Sequence, residues 1–330
     1  MAKKLLSTVA PSRFDKYDIH FPEDWDVKYL DVPYTDEQMI EALKDREYLL
    51  VGAIHPVSAE VIKANPQLKL IQSEGVGFDK IDFNCAKECG IPVCNNRGAN
   101  ANGVAEHTVA LMLAAFRRIA LNDKRVKCKN EDYNTVKSEG LAMGIHEIAG
   151  KHIGFVGMGA IAKEAVRKLQ PWHVKISYYD TFRPTPEQEK ELGIEYMEFD
   201  DLCKECDVIS MHVPVFPETV GMLGEKQFKE MKNTAIVVNT ARGEIIDDKA
   251  LAAALEAGEI AHAALDVIAP EPPEKDHVLL NMSREGMDRL TITPHVGGMT
   301  DEAFITMLTV AIKNAEAVEA GEEPVNIVNK

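Results

Sequence analysis

No stretch of this chain approaches the roughly 20 consecutive apolar residues of a membrane-spanning helix. The opening run to Ala10 is also too short for a secretory signal core. It carries Ser7 and Thr8 and stops at Pro11, so it reads as a first strand. Basic residues are in deficit, 37 Lys and Arg against 53 Asp and Glu, for a net charge of −16. A phosphate backbone or an anionic bilayer would be repelled over most of such a surface, which argues against nucleic-acid and membrane partners. Cysteines are few. Cys203 and Cys206 form one C-x-x-C with no second pair at zinc spacing, and Cys85 and Cys89 lie one helical turn apart. They read as reduced thiols of a cytoplasmic protein. No His-x-x-x-His or carboxylate cluster suggests a metal, and there is no low-complexity segment or short repeat.

What the chain does have is length and rhythm. Its 330 residues, 45% of them hydrophobic, suffice for two cores at about 150 residues per domain. Apolar runs bounded by turn residues predict strands at 48–53, 68–72, 91–94, 153–156, 175–179, 208–212, 235–239, 261–265 and 290–293. Helical patterns lie between them, at 59–64 and 78–88 and starting near Ala160, Glu198, Glu225 and Asp247. Strands alternating with helices imply α/β units with parallel sheets. The segment 102–117 is apolar nearly all round, from Val104 to Phe116. It is expected to be buried, inside the chain or against a second subunit. The polar stretch 130–148 reads as an irregular arm or loop.

The strongest motif follows the strand at Ile153. Gly157-Met-Gly159-Ala160-Ile161-Ala162 is G-x-G-x-x-A running into a helix. Gly157 permits a tight turn, Gly159 lets a pyrophosphate approach the backbone, and Ala162 keeps helix and strand close. A second strand ends at Asp180, 23 residues beyond Gly157. That is close to the ~20 expected for the carboxylate on the adenosine ribose. Asp180 would repel a 2′-phosphate, so NAD (as NADH) is preferred over NADP, with Arg183 nearby as the one softening charge.

Three further segments end predicted strands: Val238 to Glu244 with Arg242, Ala264 to Pro273 with Asp266 and Glu271, and Thr291 to Gly298 with His295. In an open α/β sheet ligands bind at such ends. Reducing a 2-keto acid requires a guanidinium for the carboxylate, an acid that titrates near neutrality for the carbonyl oxygen, and a carboxylate to orient that acid and favour its charged form. Arg242, His295 and Glu271 supply these groups. Taken singly, each has a plainer reading as a surface cation, a turn residue or a rigid loop residue. Together, behind a dinucleotide motif, they point to a catalytic set. His107, on the apolar helix, reads as structural, and His20, His146, His173 and His277 show no pattern.

Along nearly its whole length the chain resembles the D-isomer-specific 2-hydroxyacid dehydrogenase family. The resemblance is carried by Glu74–Asp82, Asn100–Thr108, the Gly157 motif, His212-Val213-Pro214, Asn239–Gly243, Asp266–Pro273 and Pro294–Gly298. It implies a Rossmann-type coenzyme domain, residues 102–298, inserted into a flavodoxin-like substrate domain, residues 1–101 and 299–330. It implies D stereochemistry and a homodimer, which would suit the 102–117 helix. Arg242, Glu271 and His295 match the family's catalytic residues, and the Val76 and Gly77 amides match its substrate-carboxylate loop. Gly157, Gly159, Ala160, Ile161, Asp180, Val213, Pro214, Thr219, Thr240, Ala241, Asp266 and Gly298 match coenzyme contacts, with Asp266 near the nicotinamide carboxamide.

Departures from the family pattern narrow the substrate. Phosphoglycerate-using members carry arginine where this chain has Gly52 and Ser73, and Glu74 adds a negative charge, which argues against a phosphorylated substrate. Formate dehydrogenases carry glutamine where this chain has Glu271. The rival of another class is a dinucleotide-sensing binding protein like the co-repressors built on this fold. Those use long disordered tails, and this chain is expected to lack one beyond Lys330.

Overall fold

The computed structural model describes residues 3–330; Met1 and Ala2, at the head of the expected first strand, lie outside the described residues. The chain divides into two compact units. One runs up to Asn100 and resumes over Met299–Lys330, and the other is Ala101–Gly298.

The first unit holds five parallel strands: β1 (Lys3–Ser7), β2 (Trp25–Tyr29), β3 (Tyr48–Val51), β4 (Leu70–Ser73) and β5 (Val93–Cys94). Their order is β2-β1-β3-β4-β5, the flavodoxin-like winding. Successive side chains alternate between two cores. Leu6, Leu49, Val51 and Ile71 pack under the helices that carry Met39, Leu43, Val61 and Ile62. Leu5, Tyr48, Leu50 and Leu70 face Phe14 and the Leu308–Ala315 stretch of the last helix, Asp301–Glu319. A sheet covered on both faces needs apolar residues at consecutive positions, which is why these strands read as runs.

The second unit adds β6 (His152–Val156), β7 (Lys175–Tyr179), β8 (Glu195–Tyr196), β9 (Val208–Met211), β10 (Ile236–Asn239), β11 (His262–Leu265) and β12 (Leu290–Ile292). The order β12-β11-β10-β9-β6-β7-β8 is the Rossmann winding with one strand more, and its switch point lies between β6 and β9. The register aligns the strand ends. Val156 sits opposite Tyr179 and Met211, Met211 opposite Asn239, Asn239 opposite Leu265, and Leu265 opposite Ile292. The loops after these strands therefore leave the sheet at one level.

The structure corrects several expectations. β2 and β8 were not foreseen; both are edge strands with mixed exposure and no apolar run. The helix expected over 78–88 begins at Phe83, because the Asp82 carboxylate accepts the Cys85 N–H and caps it there. The irregular arm at 130–148 contains a helix, Tyr133–Ala142, preceded by another at Ile119–Val126. Its centre is polar: buried Arg125 donates to Glu131 at 2.5 Å and to Glu139 at 2.6 Å. An apolar pattern could not reveal it. The helix Ala101–Arg117 buries Val104, Ala105, Leu111, Met112 and Phe116, but Asn102, Glu106 and Arg117 form a solvent-facing stripe. Its apolar side is covered within its own unit, by the helix Ala160–Leu169 and by β10 and β11. Cys203 and Cys206 are buried free thiols, each pushed up to about 12 by burial. No His, Cys, Asp and Glu cluster suits a metal, and no helix is long and apolar enough to cross a membrane, among the described residues.

Candidate active site

The coenzyme cradle is built almost wholly from backbone. Gly157 sits at φ +95°, and a methyl group there would lie 2.7 Å from the His212 carbonyl oxygen. Only glycine fits on both counts. Gly159 is different: φ is −76°, and a methyl group would meet nothing within 4 Å. It caps the helix Ala160–Leu169 without a side-chain hydrogen bond and with no acidic residue in the first turn. Exposed Ala160 and half-buried Ile161 open that helix. An uncapped helix N-terminus facing open space suits a pyrophosphate. The Asp180 carboxylate accepts the Met158 N–H at 2.7 Å and the Phe182 N–H at 2.8 Å. It is thus fixed at the glycine turn, with lone pairs to spare for a ribose diol. These residues fit a dinucleotide.

Two of the expected coenzyme contacts have structural partners of their own. The Thr219 hydroxyl donates to the Pro214 carbonyl, 2.7 Å, and receives the Phe216 N–H, 2.8 Å, which closes the turn after Val213. Buried Thr240 pairs with Thr108 through their hydroxyls at 2.9 Å, beside half-buried Ala241.

The three segments that carry the candidate catalytic residues interlock. After β10, the Asn239 side chain accepts the Ala241 N–H and donates to the Arg242 carbonyl. One Arg242 N–H donates to the Ala241 carbonyl at 2.7 Å, and the rest of the fork remains for a ligand. A methyl group on Gly243 would lie 2.3 Å from the backbone of Ile268. Glycine there lets the Arg242 segment press against the segment that leads to Glu271. The peptide bonds Ala269–Pro270 and Glu271–Pro272 are cis. The Glu271 carboxylate meets His295 Nδ1 with both oxygens, at 2.7 and 2.8 Å. Both side chains are partly exposed, and the contact leaves Nε2 as the ring nitrogen free to face a substrate.

Asp266, expected at the nicotinamide, is 3% exposed and already engaged. It takes hydrogen bonds from Thr293 Oγ1, from the Val296 and Gly297 amides, and from His107. Burial pushes its carboxyl up, but these donors outweigh burial and hold it below the ordinary range. Gly298, half-buried, closes this segment.

In the first unit, Ser73 Oγ donates to the Gly77 carbonyl at 2.6 Å, and Asn95 donates to the Val76 carbonyl at 2.7 Å. This shapes the expected carboxylate loop. Glu74 is not the bare negative charge that the sequence suggested. Arg13 donates to it at 2.9 Å and lies over the Phe304 ring. Burial raises the Glu74 carboxyl, and Arg13 opposes that rise.

The second unit has a matching family description. The NAD binding domain of D-isomer specific 2-hydroxyacid dehydrogenases matches residues 109–297. The chain belongs to this family. Across 91% of its length this dehydrogenase is 36% identical to a glyoxylate reductase of Korarchaeum cryptofilum, covering 88% of that protein. It is 38% identical to a D-3-phosphoglycerate dehydrogenase of Archaeoglobus fulgidus over 89% of its own length, spanning 53% of that longer protein. Among solved structures, the holo form of Rhodotorula graminis D-mandelate dehydrogenase superposes with a TM-score of 0.86 at 27% identity, covering 100% of this chain and 99% of that one. The dehydrogenase is thus an oxidoreductase with a nicotinamide dinucleotide site.

Two histidines make contacts in the candidate catalytic loops that the sequence did not announce. His107 reaches Asp266, and His277 donates from Nε2 to the Ala269 carbonyl at 2.9 Å with Asp248 at 3.1 Å. His107 lies in the Asn100–Thr108 segment that carries the family resemblance, but nothing in that segment names its partner, and His277 shows no pattern; only contact reveals their roles.

Proposed function

We propose that this dehydrogenase reduces a small 2-keto acid to the D-2-hydroxy acid, and runs the reverse reaction, with NAD(H) preferred over NADP(H). The observation that carries the reading is the two-oxygen contact of Glu271 with His295 Nδ1. It lies in the same unit as the Gly157–Asp180 cradle. When bound, the coenzyme supplies the hydride. His295 Nε2 gives the proton to the keto oxygen, Glu271 orients the ring and balances its charge, and the Arg242 fork receives the substrate carboxylate. Asp180 disfavours a 2′-phosphate by like charge.

The names of the similar glyoxylate reductases favour a short keto acid. Gly52 and Ser73 bring no cation of their own, which disfavours a phosphorylated one. We further propose a homodimer in the cytoplasm, where its six free cysteines stay reduced. Ile119, Val126, Tyr133 and Leu141 are exposed and form the candidate subunit surface.

The test is loss of NADH fluorescence with glyoxylate, pyruvate, hydroxypyruvate, 4-methyl-2-oxopentanoate and phenylpyruvate, followed by chiral analysis of the product. We expect turnover with the shorter acids and a D product. NADH binding without turnover of any acid would replace this reading by a sensing role.

A further inference from the structure

We propose that His107 is a positioning residue for the acid–base couple, acting through Asp266 on the backbone of the loop that carries His295. The inference rests on the catalytic reading of His295 given above. His107 lies on the helix Ala101–Arg117, 188 residues before His295 in the chain. Its Nε2 is 2.9 Å from Thr293 Oγ1 and 3.2 Å from Asp266 Oδ1. Thr293 Oγ1 is in turn 2.5 Å from Asp266 Oδ1.

The hydrogens can be assigned. A carboxylate only accepts, so the single Thr293 hydrogen goes to Asp266. Thr293 must then accept, and His107 Nε2 must carry a hydrogen, which points at both oxygens. His107 thus closes a three-membered polar contact that neither of the other two can complete alone.

Asp266 passes this constraint to the loop at three points. Its carboxylate takes the Val296 N–H at 3.0 Å and the Gly297 N–H at 2.8 Å, and its carbonyl takes the His295 N–H at 2.8 Å. Between these points His295 sits at φ +54°, the left-handed region that a non-glycine residue leaves unless it is held. The packing leaves no slack. A methyl group on Gly297 would lie 2.9 Å from Asp266 Oδ2 and 3.1 Å from the His107 ring. Without the His107 donor, a nearly fully buried carboxylate loses one of its partners, and the loop can relax His295 out of its strained angle. The ring would then meet Glu271 less well aligned.

The experiment compares wild type with His107→Leu, which removes the donor, and His107→Gln, whose side-chain amide can place an N–H near Nε2. The readings are kcat and KM with glyoxylate, Kd for NADH, melting temperature, and the ring nitrogen resonances of His295 in the coenzyme-free protein. His107→Leu should lower kcat by ~10–100-fold, the scale of a small misplacement of a reacting group. KM and the NADH Kd should change less than ~3-fold. The His295 ring signals should shift or broaden, and His107→Gln should recover most of kcat and the wild-type signals.

Unchanged kcat and unchanged His295 signals in His107→Leu overturn the proposal. So does a loss of kcat, NADH affinity and melting temperature together that His107→Gln fails to rescue. If His107→Leu does not fold, Thr293→Val removes the hydroxyl bridge and carries the same expectation. The ring signals separate this inference from the catalytic reading. A wild type inactive on every keto acid would end that reading, while the dependence of His295 on His107 would still be seen or refuted.

Discussion

The candidate coenzyme cradle and the proposed acid–base site lie at the same end of the same sheet, and they are built in opposite ways. The cradle occupies one short stretch from Gly157 to Asp180. It works through backbone geometry: one glycine at φ +95°, one uncapped helix end, one carboxylate bonded to the turn. The acid–base site is assembled from three loops after β10, β11 and β12 and works through side chains. The loops that carry them have further side-chain contacts: His107 reaches Asp266, and His277 donates to the Ala269 carbonyl. A site made of backbone is compact in sequence because its parts are consecutive. A site made of side chains can draw each part from anywhere the fold brings close, and it needs supports.

The largest expected effect separates the two sites cleanly. His295→Ala should lower kcat by about 10³-fold, within the 10²–10⁴ range of lost acid–base catalysis. The NADH Kd should stay near wild type, because the cradle is untouched. Single-turnover kinetics and fluorescence titration measure the two quantities. Equal loss of both would mean that the sites are one unit, and full activity would remove His295 from the mechanism.

The next comparison lies within the cradle. Gly157→Ala adds a left-handed penalty of roughly 1–2 kcal/mol and an overlap with the His212 carbonyl at 2.7 Å. Relieving that overlap typically costs about 1–3 kcal/mol more. Gly159→Ala faces neither cost, since its φ is −76° and its surroundings are open. Gly157→Ala should therefore melt markedly earlier than wild type and lose NADH binding. Gly159→Ala should keep the wild-type melting temperature and lose only affinity. Equal melting temperatures for the two variants would show that Gly157 is not under the strain argued here.

These contrasts also explain what could be read in advance. The central strands of both sheets show as apolar runs, because a strand buried on both faces has no polar alternation to confuse it; the two windings were implied by the family resemblance. The cradle follows from spacing, because a pyrophosphate site constrains consecutive backbone atoms. The three candidate catalytic side chains could be named because the proposed chemistry calls for their types. The rest was hidden for physical reasons. Edge strands β2 and β8 bury too little to show a pattern. The arm around Arg125 has ion pairs at its centre, which leave no apolar pattern. The partner of Glu74 is Arg13, 61 residues away. His107 looks like any helix histidine until Asp266 is placed beside it.

A smaller effect tests the charge at the cradle's rim. Asp180→Ala should improve the ratio of NADP to NAD use by roughly tenfold, about 1.4 kcal/mol, the scale of one partly screened like-charge contact removed. Steady-state kcat/KM for both coenzymes measures it. An unchanged ratio would move the basis of the preference elsewhere.

The smallest expected effect concerns the support on the Glu271 side. His277 Nδ1 accepts the Leu279 N–H, so its Nε2 is the donor to the Ala269 carbonyl, with Asp248 beside it. Burial pushes the Asp248 carboxyl up to about 6 from its ordinary 3.8, against the opposing pull of His277. The sign follows from proton binding. Between about pH 4 and 6 the folded protein holds a proton there that the unfolded chain has given up. Stability from this group is therefore greatest below about pH 4 and falls as pH rises through 6, by up to about 3 kcal/mol. Asp248→Asn does not titrate and leaves the His277–Ala269 contact in place. Relative to wild type it should gain stability steadily from pH 4 to 7 and then run parallel, with kcat at neutral pH within about twofold of wild type. Urea midpoints across that range measure the difference. Curves that stay parallel from pH 4 upward would show that Asp248 gives up its proton as readily in the folded protein as in the unfolded chain. The Glu271 loop would then rest on the histidine alone, as the His295 loop would rest on Asp266 alone if His107 proved idle.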